Sequence, residues 1–154
     1  MSLRFVVTSR CAEMERGASA GRNPFADVCC VPFAGTKDDE HVWTLRMRRP
    51  SDAVGFGSVR NGTAIVDPLE PEAFASLWKR GQSFDADPPN AVLSFSGNAL
   101  GAIVVCAWTS KKKNNKKSDL YFLLKPADGH AANEIPTGDL GFANLCVDII
   151  DPLI

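Results

Sequence analysis

The sequence predicts a mainly β fold: an antiparallel β-sandwich or a partly closed barrel that carries one short α-helix. Short apolar or alternating segments recur along the 154 residues, turn residues separate them, and only one segment has helical periodicity. Strands do not alternate with long helices, which argues against a parallel sheet. One helix lying on a single antiparallel sheet is the alternative, and we expect residues 1–154 to form one domain.

The strongest β signal lies in residues 99–125, where two apolar runs flank Asn114-Asn115. This pair fits a two-residue type I′ turn, because asparagine tolerates a positive φ. Apolar side chains occupy both faces of the first run, as expected for a strand covered on both sides. Residues 91–96 and a turn at Gly97-Asn98 complete a predicted three-stranded meander. The turn predicts these facing pairs: Trp108 with Tyr121, Cys106 with Leu123, and Val105 with Leu124.

The remaining strands follow from shorter patterns. Residues 41–48 alternate between Trp43, Leu45 and Met47 on one face and polar side chains on the other. Asn61-Gly62 predicts a hairpin that pairs Val59 with Ala64. Asp148 is the one acid in an apolar final strand and is expected to face water; if it faced inward it would need a partner, such as Arg4 or Arg10. Further predicted strands are 4–10, 26–34 (an edge strand, because it contains Pro32) and 142–150, and predicted loops or turns are 12–23, 35–40 and 128–141.

Residues 70–80 are the one predicted helix. Pro71 suits the first helical turn, and Gly81 suits the position after the helix. Phe74, Leu77 and Trp78 recur at helical spacing and form one apolar face. We therefore expect this helix to pack on the sheet.

Charge is unevenly distributed, although the formal net charge is only −1. The segment 111–117, here the lysine-rich segment, holds five of the eight lysines, whereas six acidic residues and one lysine follow from Ser118 onward. Like charges oppose strand pairing, so its tip is expected in water. The candidate partner-binding residues are Lys111, Lys112, Lys113, Lys116, Lys117, Arg46 and Arg48. The alternative is a solvated turn and strand face that keep an exposed edge from pairing.

The cysteines and acidic residues form no pattern that predicts catalysis, metal binding or cofactor binding. Five cysteines without framework spacing, no signal peptide and no membrane-spanning run favour a cytoplasmic protein with mostly free thiols. Cys106 and Cys146 are expected in the core, and Cys11 is expected to be exposed. Zinc-ligand spacing, complete nucleotide motifs and paired carboxylates are not apparent, so we expect no catalytic residue, metal or cofactor.

These observations favour a non-enzymatic interaction or assembly module, which contacts a protein partner or another copy of itself through exposed loops and the lysine-rich segment. A small enzyme or ligand-binding protein is the first alternative, with a pocket near Phe74, Trp78 and the loops that hold His41 or His130. A weak binder of nucleic acid or of an anionic surface is the second.

Overall fold

The computed structural model describes residues 2–17, 41–59, 62–79, 81–82, 84–85, 87–110, 118–127 and 135–150. Eight strands and one short helix, followed by one 3₁₀ turn at Ser76–Trp78, account for most of them. The strands are β1 Ser2–Arg16, β2 Trp43–Arg48, β3 Ala53–Val59, β4 Gly62–Leu69, β5 Asn90–Phe95, β6 Asn98–Thr109, β7 Leu120–Pro126 and β8 Gly138–Ile150, and the helix is α1 Pro71–Ala75.

Six of the strands close into an antiparallel barrel. The sheet order is β2-β7-β6-β5-β8-β1-β3-β4, and an additional pairing of β2 with β1 closes the ring. The β3–β4 hairpin extends from β1 outside that ring. The prediction of a mainly β, partly closed barrel with one short helix is therefore confirmed.

Strand β1 is shared between the barrel and the hairpin. Its first residues pair with β3 and its last six with β2, while β8 follows almost its whole length. A bulge between Ser9 and Ala12 changes the alternation, so that Phe5 and Val7 are buried before it and Ala12 and Met14 after it. The Ser9 hydroxyl supports the bulge by donating to the Arg48 carbonyl at 2.7 Å.

Aromatic side chains from α1 and the 3₁₀ turn fill the barrel interior. Phe74 packs against Phe5 and Phe122, with ring centroids 5.3 and 6.3 Å apart. Trp78 packs against Phe84 at 4.7 Å, and its indole Nε1 donates to the Val104 carbonyl at 3.0 Å. All five rings are at most 5% exposed. We name them the aromatic plug.

The predicted hairpins exist, but their registers differ in part. In β6–β7, Trp108 pairs with Tyr121 and Cys106 with Leu123 as predicted, whereas a bulge at Val105 pairs Val104 with Leu124. In β3–β4, Val59 pairs with Gly62, two positions from the prediction. An even shift keeps every side chain on its face. The β5–β6 turn, predicted at Gly97-Asn98, lies one residue earlier at Ser96-Gly97, whose φ values of 46° and 77° are the positive values of a type I′ turn.

Three element boundaries were wrong. Strand β1 continues through residues 12–16, predicted as a loop, because the bulge hides the alternation. Strand β8 begins at Gly138, inside another predicted loop. The α-helix ends at Ala75, then forms one 3₁₀ turn and becomes extended at Lys79. The predicted strand 26–34, the turn 35–40 and the turn at Asn114-Asn115 lie outside the described residues.

The burial and bonding of the cysteines match the prediction only in part. Cys106 is fully buried, as expected, but it is disulfide-bonded, which overturns its assignment as a free thiol. Cys11 is an exposed free thiol, as expected. Cys146 is free and only half-buried; burial raises the pKa of its thiol, and the neighbouring Asp148 adds to this effect. The disulfide removes one of the observations on which the cytoplasmic expectation rested.

Candidate functional site

Strand pairing places five charged or aromatic residues in one row across the outer face of the barrel. Asp139 on β8 pairs with Glu13 on β1, which pairs with Arg46 on β2. Arg46 pairs with Tyr121 on β7, and Tyr121 with Trp108 on β6. We call this arrangement of two acids, one cation and two aromatic rings the outer row. Neighbouring residues in such a row interact directly, because paired side chains lie about 5 Å apart.

Arg46 is the centre of the outer row. Its Nε and one terminal nitrogen donate to the same Asp119 carboxylate oxygen, at 3.1 and 2.6 Å. Its guanidinium carbon lies 5.8 Å from the Tyr121 ring centroid, a cation–π distance. The hydrogen bond to Asp119 is the main reason that the pKa of Arg46 is raised; burial opposes this increase, and the nearby Tyr121, Asp119 and Glu13 add to it. Arg46 is therefore a cation with a carboxylate on one side and an aromatic ring on the other.

The ring of Tyr121 stacks in turn on Trp108, its neighbour on β6. The two rings are nearly parallel, at 5°, with centroids 5.5 Å apart. Trp108 is only 2% exposed. Arg46, Tyr121 and Trp108 thus form a layered arrangement that fixes the outer row at one end.

Glu13 links the row to the next one. It forms an ion pair with Arg48 and a longer contact, 3.9 Å, with Arg46. Its side chain is 33% exposed, so solvent screens both interactions. On the other side Glu13 pairs in register with Asp139, an exposed carboxylate of like charge.

A cleft of about 870 Å³ lies over the outer row where β1 ends and β8 begins. It is open to solvent, and its walls combine carboxylates, guanidinium groups, a phenol and threonine hydroxyls. The charged and aromatic residues that line it are Glu13, Glu15, Arg16, Arg46, Tyr121 and Asp139. At one edge Arg16 lies over the Trp43 ring, 5.7 Å from its centroid.

The predicted binding residues are only partly within the described chain. Arg46 and Arg48 lie on the outer face of β2, as predicted, and both contact carboxylates. Lys111, Lys112, Lys113, Lys116 and Lys117 lie outside the described residues. Ser110 and Asp119, the described residues on either side of this segment, extend the β6–β7 pairing by one rung: the Ser110 amide donates to the Asp119 carbonyl at 3.0 Å.

Phe74 and Trp78, beside which a pocket was predicted, are both buried in the aromatic plug. His41 is exposed and His130 lies outside the described residues. Within the described part of the chain, no three His, Cys, Asp or Glu side chains are arranged to hold a metal ion.

Sequence reasoning missed Glu13, Asp139 and Asp119. Glu13 and Asp139 lay in segments predicted as loops, and pairing between distant strands brings them together. One signal was available: Ala12, Glu13, Met14 and Glu15 alternate between apolar and acidic residues, which is typical of a half-buried strand.

Comparison of the chain with known protein families, with curated proteins and with solved structures finds no match. Within the described residues, no helix has the length and apolar character needed to span a bilayer.

Proposed function

We propose that the protein is a non-enzymatic interaction module that contacts an acidic protein surface, or another copy of itself, through the lysine-rich segment and the adjacent outer face of β2. The observation that carries this proposal is the division between a filled interior and a charged exterior. The aromatic plug occupies the space that a barrel could offer to a ligand, so recognition is assigned to the outside.

The position of the lysine-rich segment in the chain supports this assignment. It connects β6 to β7 in the sequence, immediately after Ser110, and Asp119 at the start of the returning chain binds Arg46. Arg46 and Arg48 are partly exposed, 35% and 47% of their side chains, so they border the proposed surface. Clustered cations of this kind accelerate encounters with acidic partners and make association dependent on salt.

The test uses the reversal Lys112→Glu with Lys116→Glu. We expect the wild type to bind a polyglutamate peptide or to self-associate at about 50 mM salt, and to lose most of this binding at about 500 mM. The double variant should bind at least about tenfold more weakly, with a melting temperature within about 1 °C of wild type. Fluorescence anisotropy with the labelled peptide and light scattering of the protein alone measure the two modes.

The matched control is Lys79→Glu with Lys125→Glu, which makes the same change in net charge elsewhere on the chain. This control should retain wild-type binding. Equal losses in both double variants would reduce the effect to net charge and contradict the proposal, as would wild-type binding to neither probe. Tight binding to a single-stranded oligonucleotide without binding to polyglutamate would instead assign the lysines to nucleic acid.

A further inference from the structure

The sheet ends at β4, which pairs with β3 and with no other strand that the structure describes. The six strands of the ring each lie between two others, because the β1–β2 pairing closes it, and β3 lies between β1 and β4. The described chain therefore has one terminal strand edge, on β4. Such an edge presents a row of backbone amides and carbonyls that can pair with another strand.

Hydrogen bonds beside β1 show which backbone groups of β4 face that edge. The Thr8 amide donates to the Ser51 hydroxyl at 2.9 Å, and the Ser51 amide donates to the Thr8 carbonyl at 2.8 Å. Ser51 leads into β3, and β8 pairs along the other side of β1. Both backbone groups of a residue point to the same side of an antiparallel strand, and that side alternates from one residue to the next. Val6, two residues before Thr8, therefore bonds with its partner Val54 on β3.

The same alternation continues through β3 into β4. Gly57 lies an odd number of positions from Val54, so its backbone groups point to β4, where its partner is Ala64. Thr63 and Ile65, the neighbours of Ala64, therefore direct their amides and carbonyls away from β3 and towards the terminal edge. The registers are regular across these residues, since the shift in β3–β4 lies at the far end of the hairpin.

The sequence of β4 does not protect this edge. Residues 62–66 contain neither a charged residue nor proline, and Asp67-Pro68 follow only afterwards. Proteins usually blunt an exposed strand edge with lysine, proline, bulges or a very short strand. An uncharged stretch that includes β-branched residues is instead typical of strands that pair with another chain.

We infer that β4 pairs with β4 of a second copy of the chain, antiparallel and around a twofold axis. The absence of charge in residues 62–66 favours this partner, because a twofold axis brings residues close to their own copies and like charges there would repel each other. Strand β4 lies two strand spacings, about 10 Å, from β1 of the ring, which leaves room for a second barrel. This contact is separate from the one proposed for the lysine-rich segment.

The two contacts differ in their response to salt. Backbone hydrogen bonds join neutral groups and are not screened by ions, whereas contacts of clustered lysines are. The β4 dimer should therefore persist between about 150 and 500 mM salt. Association that is added at low salt and lost at high salt belongs to the lysine-rich segment. Lys112→Glu with Lys116→Glu should accordingly leave the β4 dimer unchanged.

The experiment places like charges at the two edge positions of the full chain and measures dimerisation by sedimentation equilibrium at about 150 mM salt. Thr63→Lys with Ile65→Lys should weaken dimerisation at least about tenfold, and Thr63→Glu with Ile65→Glu should do the same. An equal mixture of the two variants should dimerise again. In an antiparallel pair centred on residue 64 or 65, the lysines of one copy lie beside the glutamates of the other.

The matched control places the same charges on an interior strand. Val92 and Ser94 are exposed and lie two positions apart on β5, which pairs with β6 on one side and with β8 on the other. Val92→Lys with Ser94→Lys should therefore dimerise like the wild type. An equal loss in this variant would show that added charge, and not the strand edge, separates the copies, and would contradict the inference.

Hydrogen exchange of the wild-type chain is a second readout, which needs no substitution and holds even if the β4 variants fail to fold. The amides of Thr63 and Ile65 should exchange more slowly as the protein concentration rises, because the second copy bonds them. The Ala64 amide, which bonds within the hairpin, should be protected equally at every concentration.

Four results would overturn the inference: a monomeric wild type, dimerisation of either β4 variant alone, a mixture of the two that stays monomeric, and exchange of the edge amides that does not depend on concentration. Polyglutamate binding should be the same in the wild type and in the β4 variants, because the lysine-rich segment is unchanged in them. The inference and the proposed function can therefore fail separately.

Discussion

The interior and the outer face of this barrel are held together by different forces. In the aromatic plug, five rings at most 5% exposed contact one another at centroid distances of 4.7 to 6.3 Å. On the outer face the side chains of Arg46, Glu13 and Asp119 are 35%, 33% and 18% exposed. Burial of aromatic surface is strong and insensitive to salt, whereas partly exposed ion pairs are weak and screened. The interior therefore contributes most of the stability of the fold, and the ion pairs of the outer face contribute less.

The largest expected effect comes from breaking the plug. Trp78→Ala removes a fully buried ring together with its hydrogen bond to the Val104 carbonyl. We expect a loss of about 3–5 kcal/mol in the free energy of unfolding, measured by urea denaturation followed by circular dichroism. Trp78→Phe is the control: it keeps an aromatic ring and should cost clearly less. Equal losses would show that the hydrogen bond, and not the packing, carries the stability.

An intermediate effect is expected from the best-buried charge of the outer face. Asp119→Ala removes the acceptor of both Arg46 hydrogen bonds and of the Arg49 amide. The Asp119 side chain is 18% exposed, so the loss should be roughly 1–2 kcal/mol by the same measurement. Asp119→Asn keeps an oxygen acceptor and should recover part of it. A cost as large as that of Trp78→Ala would abolish the distinction between the two regions.

The smallest effect should come from Arg48, whose ion pair with Glu13 is the most solvated of the outer-face contacts described above. Arg48→Gln should change stability by no more than about 0.5 kcal/mol, and the difference should disappear near 1 M salt. Urea denaturation at low and high salt measures it. A loss that persists at high salt would mean that the arginine stem contributes through packing.

Local patterns predicted the strands whose neighbours are close in sequence. Trp108 and Tyr121 were placed opposite each other because a short turn leaves little freedom in their pairing. The apolar face of residues 74–78 was predicted for the same reason, since helical spacing alone defines it. The ring closure between β1 and β2 depends instead on a pairing that no local pattern contains.

The outer row was unpredictable for the same physical reason. Asp139 and Arg46 are almost a hundred positions apart, and only the simultaneous registers of two strand pairs, β8–β1 and β1–β2, place them in one line. Arg46 and Arg48 were predicted to form part of a basic surface because their strand is polar on that face, but they contact carboxylates: Glu13 on β1 and Asp119, the residue before β7. A charged strand face in a closed barrel always has two neighbours, and each of them can neutralise it.

The bulge in β1 determines which residues are available on the surface. Side chains alternate strictly along a strand, so a chain one residue shorter between Ser9 and Ala12 would exchange inside and outside for everything that follows. Met14 would then face water, and Glu13 with Glu15 would enter an apolar interior that cannot solvate them. The length of this short segment is thus as restricted as its composition. A single deletion there would remove Glu13 and Glu15 from the surface and abolish the fold.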